Sequence, residues 1–305
     1  MTTQEKRNLR IGLLFISPWI AGFLIFMVYP VVSSLILSLC DYSLLSPAVY
    51  VGGMNYHDLL TDDVFWKALG NTFFFAAISI PLGFMVSLSL AILLSFDIPC
   101  RGIFRTLFFL PSLVPVVSLA VLWEWMLNGN LGPLNHVLAP VLHAINALCG
   151  THLAAPNWLQ DARYAKWGLI FTGLWGSGNA MVIYLAALQD VPRHFYESAD
   201  IDGANFRQKT WHITLPMISP VIYFNVIMSL IGSLQVFAVP YVMAEGQDGP
   251  ERSLLFISTY LYHNAFDWSN TGYACAIGVM LFLIILFLTL LATRISRRHI
   301  YYAGK

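Results

Sequence analysis

Six stretches of this sequence, residues 11–39, 71–95, 104–127, 167–188, 216–242 and 273–293, each run for more than twenty residues with almost no charge. A hydrocarbon core about 30 Å thick is crossed by about 20 helical residues, so every run is long enough to span a bilayer. Each Leu, Ile, Phe or Val near mid-membrane favours insertion by about 0.3–0.6 kcal/mol, against about 3 kcal/mol lost per charge. Insertion wins in all six. The composition agrees: 58% of the 305 residues are hydrophobic and 10% charged, where a soluble domain carries about 25% charged residues. The expected fold class is an all-α membrane protein of six transmembrane helices.

The first run follows Lys6, Arg7 and Arg10. It is too long for the apolar core of a signal peptide and is followed by no clear small-residue cleavage site, so it is expected to remain as an anchor. With the N-terminus inside, twelve of the sixteen Lys and Arg residues fall in cytoplasmic segments, and only Lys67, Arg163, Lys166 and Arg252 fall outside. That asymmetry places both termini in the cytoplasm. Reading Pro133–Cys149 as a seventh span would even the split to eight and eight. This segment is short and holds Pro140, His136 and His143, while Leu134, Val137, Leu138, Val141, Leu142 and Ile145 recur at helical spacing. It is expected to be an amphipathic helix on the outer face. The resulting organisation is a tail over residues 1–10, one transmembrane domain over 11–294 and a tail over 295–305. Prolines 18, 30, 81, 111 and 115 inside the runs predict kinks.

Several function classes find no support. Zero net charge gives a nucleic-acid partner no electrostatic attraction. Cys40, Cys100, Cys149 and Cys275 are scattered without metal-ligand spacing and read as ordinary packing or lining thiols. His136, His143 and His152 stand seven and nine residues apart, which favours no metal, and Glu124 between Trp123 and Trp125 is expected to reach the outer interface. No Ser/His/Asp or paired-carboxylate arrangement supports catalysis, so no catalytic or metal residue is assigned.

The most informative stretch is the loop between the fourth and fifth runs. Asp190 before Pro192 predicts a helix start, Gly203 a sharp turn, and a second short helix is expected over 205–212, ahead of Pro216. Ser198 and Ala199 are small enough for another protein to approach, and Phe195, Tyr196 and Ile201 offer knobs beside them. From residue types alone, a solvated connector and a docking surface both stand.

Glu197, Ser198, Ala199, three others, Gly203, nine others, Ile213, one other, Leu215 and Pro216 resemble the EAA motif of ABC-importer permeases, with serine as the one departure. Asp202-Gly203-Ala204 and Ile213-Thr-Leu-Pro216 are similar to the sugar-permease branch. The likeness extends through residues 52–71, Leu107-Phe-Phe-Leu-Pro-Ser112, Trp123, Gly132-Pro-Leu-Asn135 and Gly272-Tyr-Ala-Cys-Ala276. Where the family often has Thr-x-Gly-Gly-Pro, this chain reads Ala244-Glu-Gly-Gln-Asp-Gly-Pro250. The resemblance implies a type I importer permease of MetI-like fold in a bacterial or archaeal cytoplasmic membrane. Its loop residues Tyr196, Glu197, Ser198, Ala199, Asp202, Gly203, Ile213, Leu215 and Pro216 would couple to a separate ATPase. The sequence has no phosphate-binding loop of its own, so ATP and Mg would be used by that partner and no cofactor by this chain. The implied assembly has a second, similar but non-identical permease, two ATP-binding subunits and an extracytoplasmic solute-binding protein that delivers a carbohydrate.

Thr172, Trp175, Gly176 and Asn179 share one face of a continuous helix, and Asn225, Ser229, Gly232, Ser233 and Val236 form a comparable stripe in the fifth run. Such faces suit either close helix packing or hydroxyl hydrogen bonding and sugar-ring stacking. By resemblance, Thr172, Trp175, Gly176, Asn179, Ser229, Gly232 and Ser233 are the expected substrate pathway. Two rivals are an ion-coupled secondary transporter, which usually needs ionisable groups at membrane depth that these runs lack, and a structural subunit without a pore.

Overall fold

The computed structural model describes residues 2–152 and 154–296, with backbone alone at residues 6 and 9. From residue 297 on, the expected C-terminal tail, with Arg297, Arg298 and Lys305, lies outside the described residues. Four helical stretches are long and apolar enough to cross a bilayer: Thr3–Leu37, which includes a π turn, Asp63–Leu93, Ser219–Met243, which is interrupted at 235–237, and Thr271–Ser296. Two bent pairs complete the set, Arg101–Leu113 with Val116–Met126 (98°) and Ala162–Trp175 with Gly178–Gln189 (44°). Counting each pair as one crossing gives six, one for each apolar run.

The third and fourth spans are not the continuous helices their apolar runs predict. In the third, Pro115 excludes the preceding residue from the helical region, and Val114 is extended at φ −71°, ψ 129°. In the fourth, the first helix ends at Gly176 (φ −80°, ψ 9°), a residue type about 1 kcal/mol less favourable than alanine inside a helix. Two other prolines act differently. Pro30 and Pro216 each stand two residues beyond a widened π turn, Leu24–Val28 and Thr210–Thr214. A helical proline collides with the carbonyl four residues back, here Phe26 and His212, and the wider turn lies at that position in both cases. Pro18 and Pro81 sit inside unbroken helix.

The described residues divide into two compact units. The first holds the chain up to Asp63 and Leu261–Phe282. The apolar side chains of its N-terminal helix face outward, Phe15 84% and Phe26 82% exposed, which is unfavourable in water and not in lipid tails as apolar as the side chains. A short antiparallel hairpin, Cys40–Ser43 with Ser46–Tyr50, follows it. Asn55 Nδ2 donates to Ser38 O and Cys40 O, both at 2.9 Å, tying the hairpin to the helix Met54–Thr61. Tyr273 OH donates to Asp62 Oδ2 at 2.8 Å, and any Cβ on Gly272 would overlap Cys40 O.

The second unit holds Val64–Tyr260 and the chain from Leu283 on. One buried cluster gathers Phe75, Leu127, Leu169, Ile170, Leu254 and Phe256, and a second gathers Leu88, Ala91, Leu94, Met181, Tyr184, Leu185, Val191 and Ile218. Beside the first, Asn71 is 2% exposed. Its Nδ2 donates to Arg252 O at 2.8 Å and Leu255 O at 2.9 Å, while its Oδ1 accepts from Lys166 Nζ at 3.0 Å. The adjacent Thr72 Oγ1 accepts from Ile257 N at 3.1 Å. The segment expected as an amphipathic helix is a helix over Pro133–Cys149, anchored where Asn135 accepts from Trp158 Nε1 at 2.9 Å.

Candidate functional site

A cavity of about 460 Å³ opens among three elements of the second unit. The helix Asp63–Leu93 contributes Ser79, Gly83, Phe84 and Ser87; the bend and helix at 176–189 contribute Gly176, Ser177, Asn179 and Tyr184; the fifth span contributes Asn225, Ser229, Gly232, Ser233 and Val236. The two polar stripes read from the sequence therefore meet across one space, apart from Thr172 and Trp175. Thr172 is buried, with its Oγ1 donating to Gly168 O at 3.0 Å. Trp175 packs edge-on against Trp123, ring centres 5.8 Å apart. The expected single face assumed an unbroken helix, and the 44° bend after Trp175 separates its two halves. Sequence reasoning missed Ser79, Gly83, Phe84, Ser87 and Tyr184. The four-residue spacing of Ser79, Gly83 and Ser87 was the available signal.

The cavity is uncharged, with a few polar side chains set in a mostly apolar lining. Among the described residues no Asp, Glu, Lys, Arg or His lines it. Several of its hydroxyls are already committed: Ser87 Oγ donates to Gly83 O at 2.6 Å, Ser177 Oγ to Leu174 O at 2.6 Å and Ser233 Oγ to Ser233's own helix at Leu230 O, 3.1 Å. The side chains of Ser79, Asn179 and Ser229 make no hydrogen bond within the described chain. Such groups lose little on binding a hydroxylated solute and gain a partner.

The bend that positions Asn179 is held by close backbone packing. Gly178 is buried, and a Cβ there would overlap Phe108 O and stand 2.9 Å from Phe109 Cα. Gly178→Val is expected to destabilise the protein by about 1–3 kcal/mol, read as a lowered thermal midpoint. Gly70→Ala, whose added methyl meets nothing within 4 Å, should show no such fall.

The loop residues sort into two groups. The loop helix runs Arg193–Ile201 with Pro192 at its N-cap, whereas Asp190 caps the C-terminus of the preceding helix. Asp190 is therefore a helix end and not the expected helix start, because Pro192 at ψ 131° separates the two helices. Gly203 makes the expected turn, at φ +75°. The second helix is shorter than expected, Phe206–Lys209, and passes directly into the π turn before Pro216. Tyr196, Ile213 and Leu215 pack against the second buried cluster, and Tyr196 OH bonds Thr214 Oγ1 at 3.0 Å. Tyr196 is thus an anchor and not an outward knob. Lys209 pairs with Asp200 across the turn. Glu197, Ser198, Asp202 and Gly203 are exposed, Ile201 is 88% exposed, and Ala199 and Pro216 are half-buried. Ala199, Asp202, Gly203, Gln208 and His212 border a shallow groove of about 320 Å³.

Residues 79–301 match the family described as the binding-protein-dependent transport system inner membrane component. The chain belongs to that family. It is 34% identical to the probable ABC transporter permease protein YesP of Bacillus subtilis over 99% of this chain and 94% of that protein. It is 35% identical to the lactose transport system permease protein LacF of Rhizobium radiobacter, over 92% of each. Its fold matches a permease chain in the crystal structure of a bacterial ABC transporter involved in import of the acidic polysaccharide alginate, with TM-score 0.81 and 25% identity over 97% of this chain and 99% of that one. This chain is therefore an ABC-type permease, an inner-membrane transport component and not an enzyme. The ion-coupled and poreless alternatives give way to that assignment.

Proposed function

We propose that this permease carries an uncharged saccharide or oligosaccharide through the cavity between its second, fourth and fifth spans, and that its exposed loop face engages the ATPase. The observation that supports the substrate class most is the cavity lining itself: hydroxyls, amides and aromatic rings set among aliphatic side chains, with no ionised group among the described residues. Such a lining suits hydroxyl hydrogen bonds and ring stacking and offers no countercharge to an acidic sugar. Several relatives are named for neutral sugars, among them lactose, trehalose/maltose and arabino-oligosaccharides. Both termini and the loop are cytoplasmic in this reading, which the distribution of Lys and Arg supports. The partners are a second permease, two ATP-binding subunits that consume the ATP and Mg, and a solute-binding protein on the outer side.

Asn179→Ala combined with Ser229→Ala is expected to reduce uptake roughly tenfold, since two neutral hydrogen bonds are lost at about 0.5–1.5 kcal/mol each. The amount of assembled complex should not change. Radiolabelled sugar uptake into proteoliposomes, normalised to complex, checks this; wild-type rates in the double variant would move the pathway elsewhere.

A further inference from the structure

A second cavity, of about 680 Å³, lies where the second and fourth spans end and the third begins. Among its lining residues are four cations, Arg101, Arg105, Arg193 and Lys209, and a single carboxylate, Asp97. Lys209 is neutralised by Asp200. Arg101 has only a distant pairing with Asp97, 3.6 Å from Nη1, and that carboxylate is fully exposed. Arg105 and Arg193 have no acidic partner in the described chain. Arg101 and Arg105 stand one helical turn apart, where like charges repel, and the buried Nε of each makes no hydrogen bond. Guanidinium donors withdrawn from water without an acceptor are costly. An arrangement of this kind is favourable when an anion supplies both charge and acceptor oxygens.

The rest of the lining narrows the anion. Phe96 and Phe206, with ring centres 5.5 Å apart, stand beside Ile92 and Leu188, so an apolar wall adjoins the cationic one. The position at the ends of three spans is the boundary between hydrocarbon and water. Basic pockets between transmembrane helices at that depth bind lipid headgroups, and the guanidinium fork fits phosphate oxygens bidentately.

We propose that this cavity binds a phosphate group at Arg101 and Arg105, that of an anionic phospholipid whose acyl chain lies along the Phe96 wall. The proposal rests on the orientation argued above only for the leaflet, which is the cytoplasmic one.

The test uses the whole transporter complex in nanodiscs of phosphatidylcholine alone or with phosphatidylglycerol. Native mass spectrometry counts the phosphatidylglycerol retained, and equilibrium dialysis with labelled inorganic phosphate is run on the phosphatidylcholine sample. The wild type is expected to retain phosphatidylglycerol, Arg101→Gln with Arg105→Gln to retain on the order of tenfold less, and Arg105→Lys to retain most of it. Phosphate binding in the phosphatidylcholine sample, lost in the double variant, would keep the site and make a soluble phosphate its source. Equal retention in all three proteins overturns the proposal. So does a double variant that sheds its ATPase subunits in step with the lipid, because the cations would then pair with protein. Sidedness labelling at residue 197 is read separately: an external location would overturn the orientation while leaving the anion site intact.

Discussion

Gly203→Asp is expected to leave the chain inserted and assembled while reducing solute-stimulated ATP hydrolysis by the complex about tenfold or more. Gly203 is at φ +75° and exposed, and an added Cβ would meet nothing within 4 Å in this chain. Asp is among the few side chains that tolerate this backbone region, so the turn itself should hold. The new carboxylate would instead project beside Ala199, Asp202 and Gln208, on the rim of the shallow groove. Extra bulk and a second negative charge next to Asp202 would fall on whatever docks there. Loss should appear in ATPase assays of reconstituted complex, with thermal unfolding of the permease unchanged. Normal stimulated hydrolysis would show that the exposed loop face is not the coupling surface.

Asn71→Leu should be the most damaging single change to stability, at about 3–5 kcal/mol, or on the order of 10 °C in thermal midpoint. The side chain fills its buried space with three hydrogen bonds, to two carbonyls and one ammonium. Leucine removes the side-chain partner of Lys166 Nζ and of the Leu255 carbonyl, and leaves the Arg252 carbonyl only its 3.3 Å bond from Leu255 N. Asn71→Asp separates the contributions. It can still accept from Lys166 but presents acceptors to two carbonyls, so it should remain well below wild type. An aspartate variant as stable as the parent would mean that the carbonyl contacts contribute nothing. Differential scanning fluorimetry of the purified complex distinguishes the cases.

The relation between sequence and structure differs from element to element. The spans were legible because hydropathy is a local sum: any twenty apolar residues favour lipid whatever their neighbours do. The helix Pro133–Cys149 was legible for a related reason, since its apolar positions repeat at the helical period. The loop turn at Gly203 followed from the one residue type that adopts positive φ freely. Asp190 misled because a helix C-cap and an N-cap two residues from a proline draw on similar residues. Thr172 and Trp175 misled because a shared helical face presupposes a straight helix, and the bend at Gly176 depends on packing.

By itself, then, the order of amino acids determined the solvent, the number of apolar runs, and the motif that ties the loop to its family, because each is a property of neighbours along the chain. Tertiary structure alone decided that Ser79, Asn179 and Ser229 border one uncharged space, that Asn71 reaches carbonyls some 180 residues away, and that Arg101 and Arg105 meet the loop around a common cavity. Such groupings arise from how helices cross and bend, and a one-dimensional pattern holds no distance between residues on different helices.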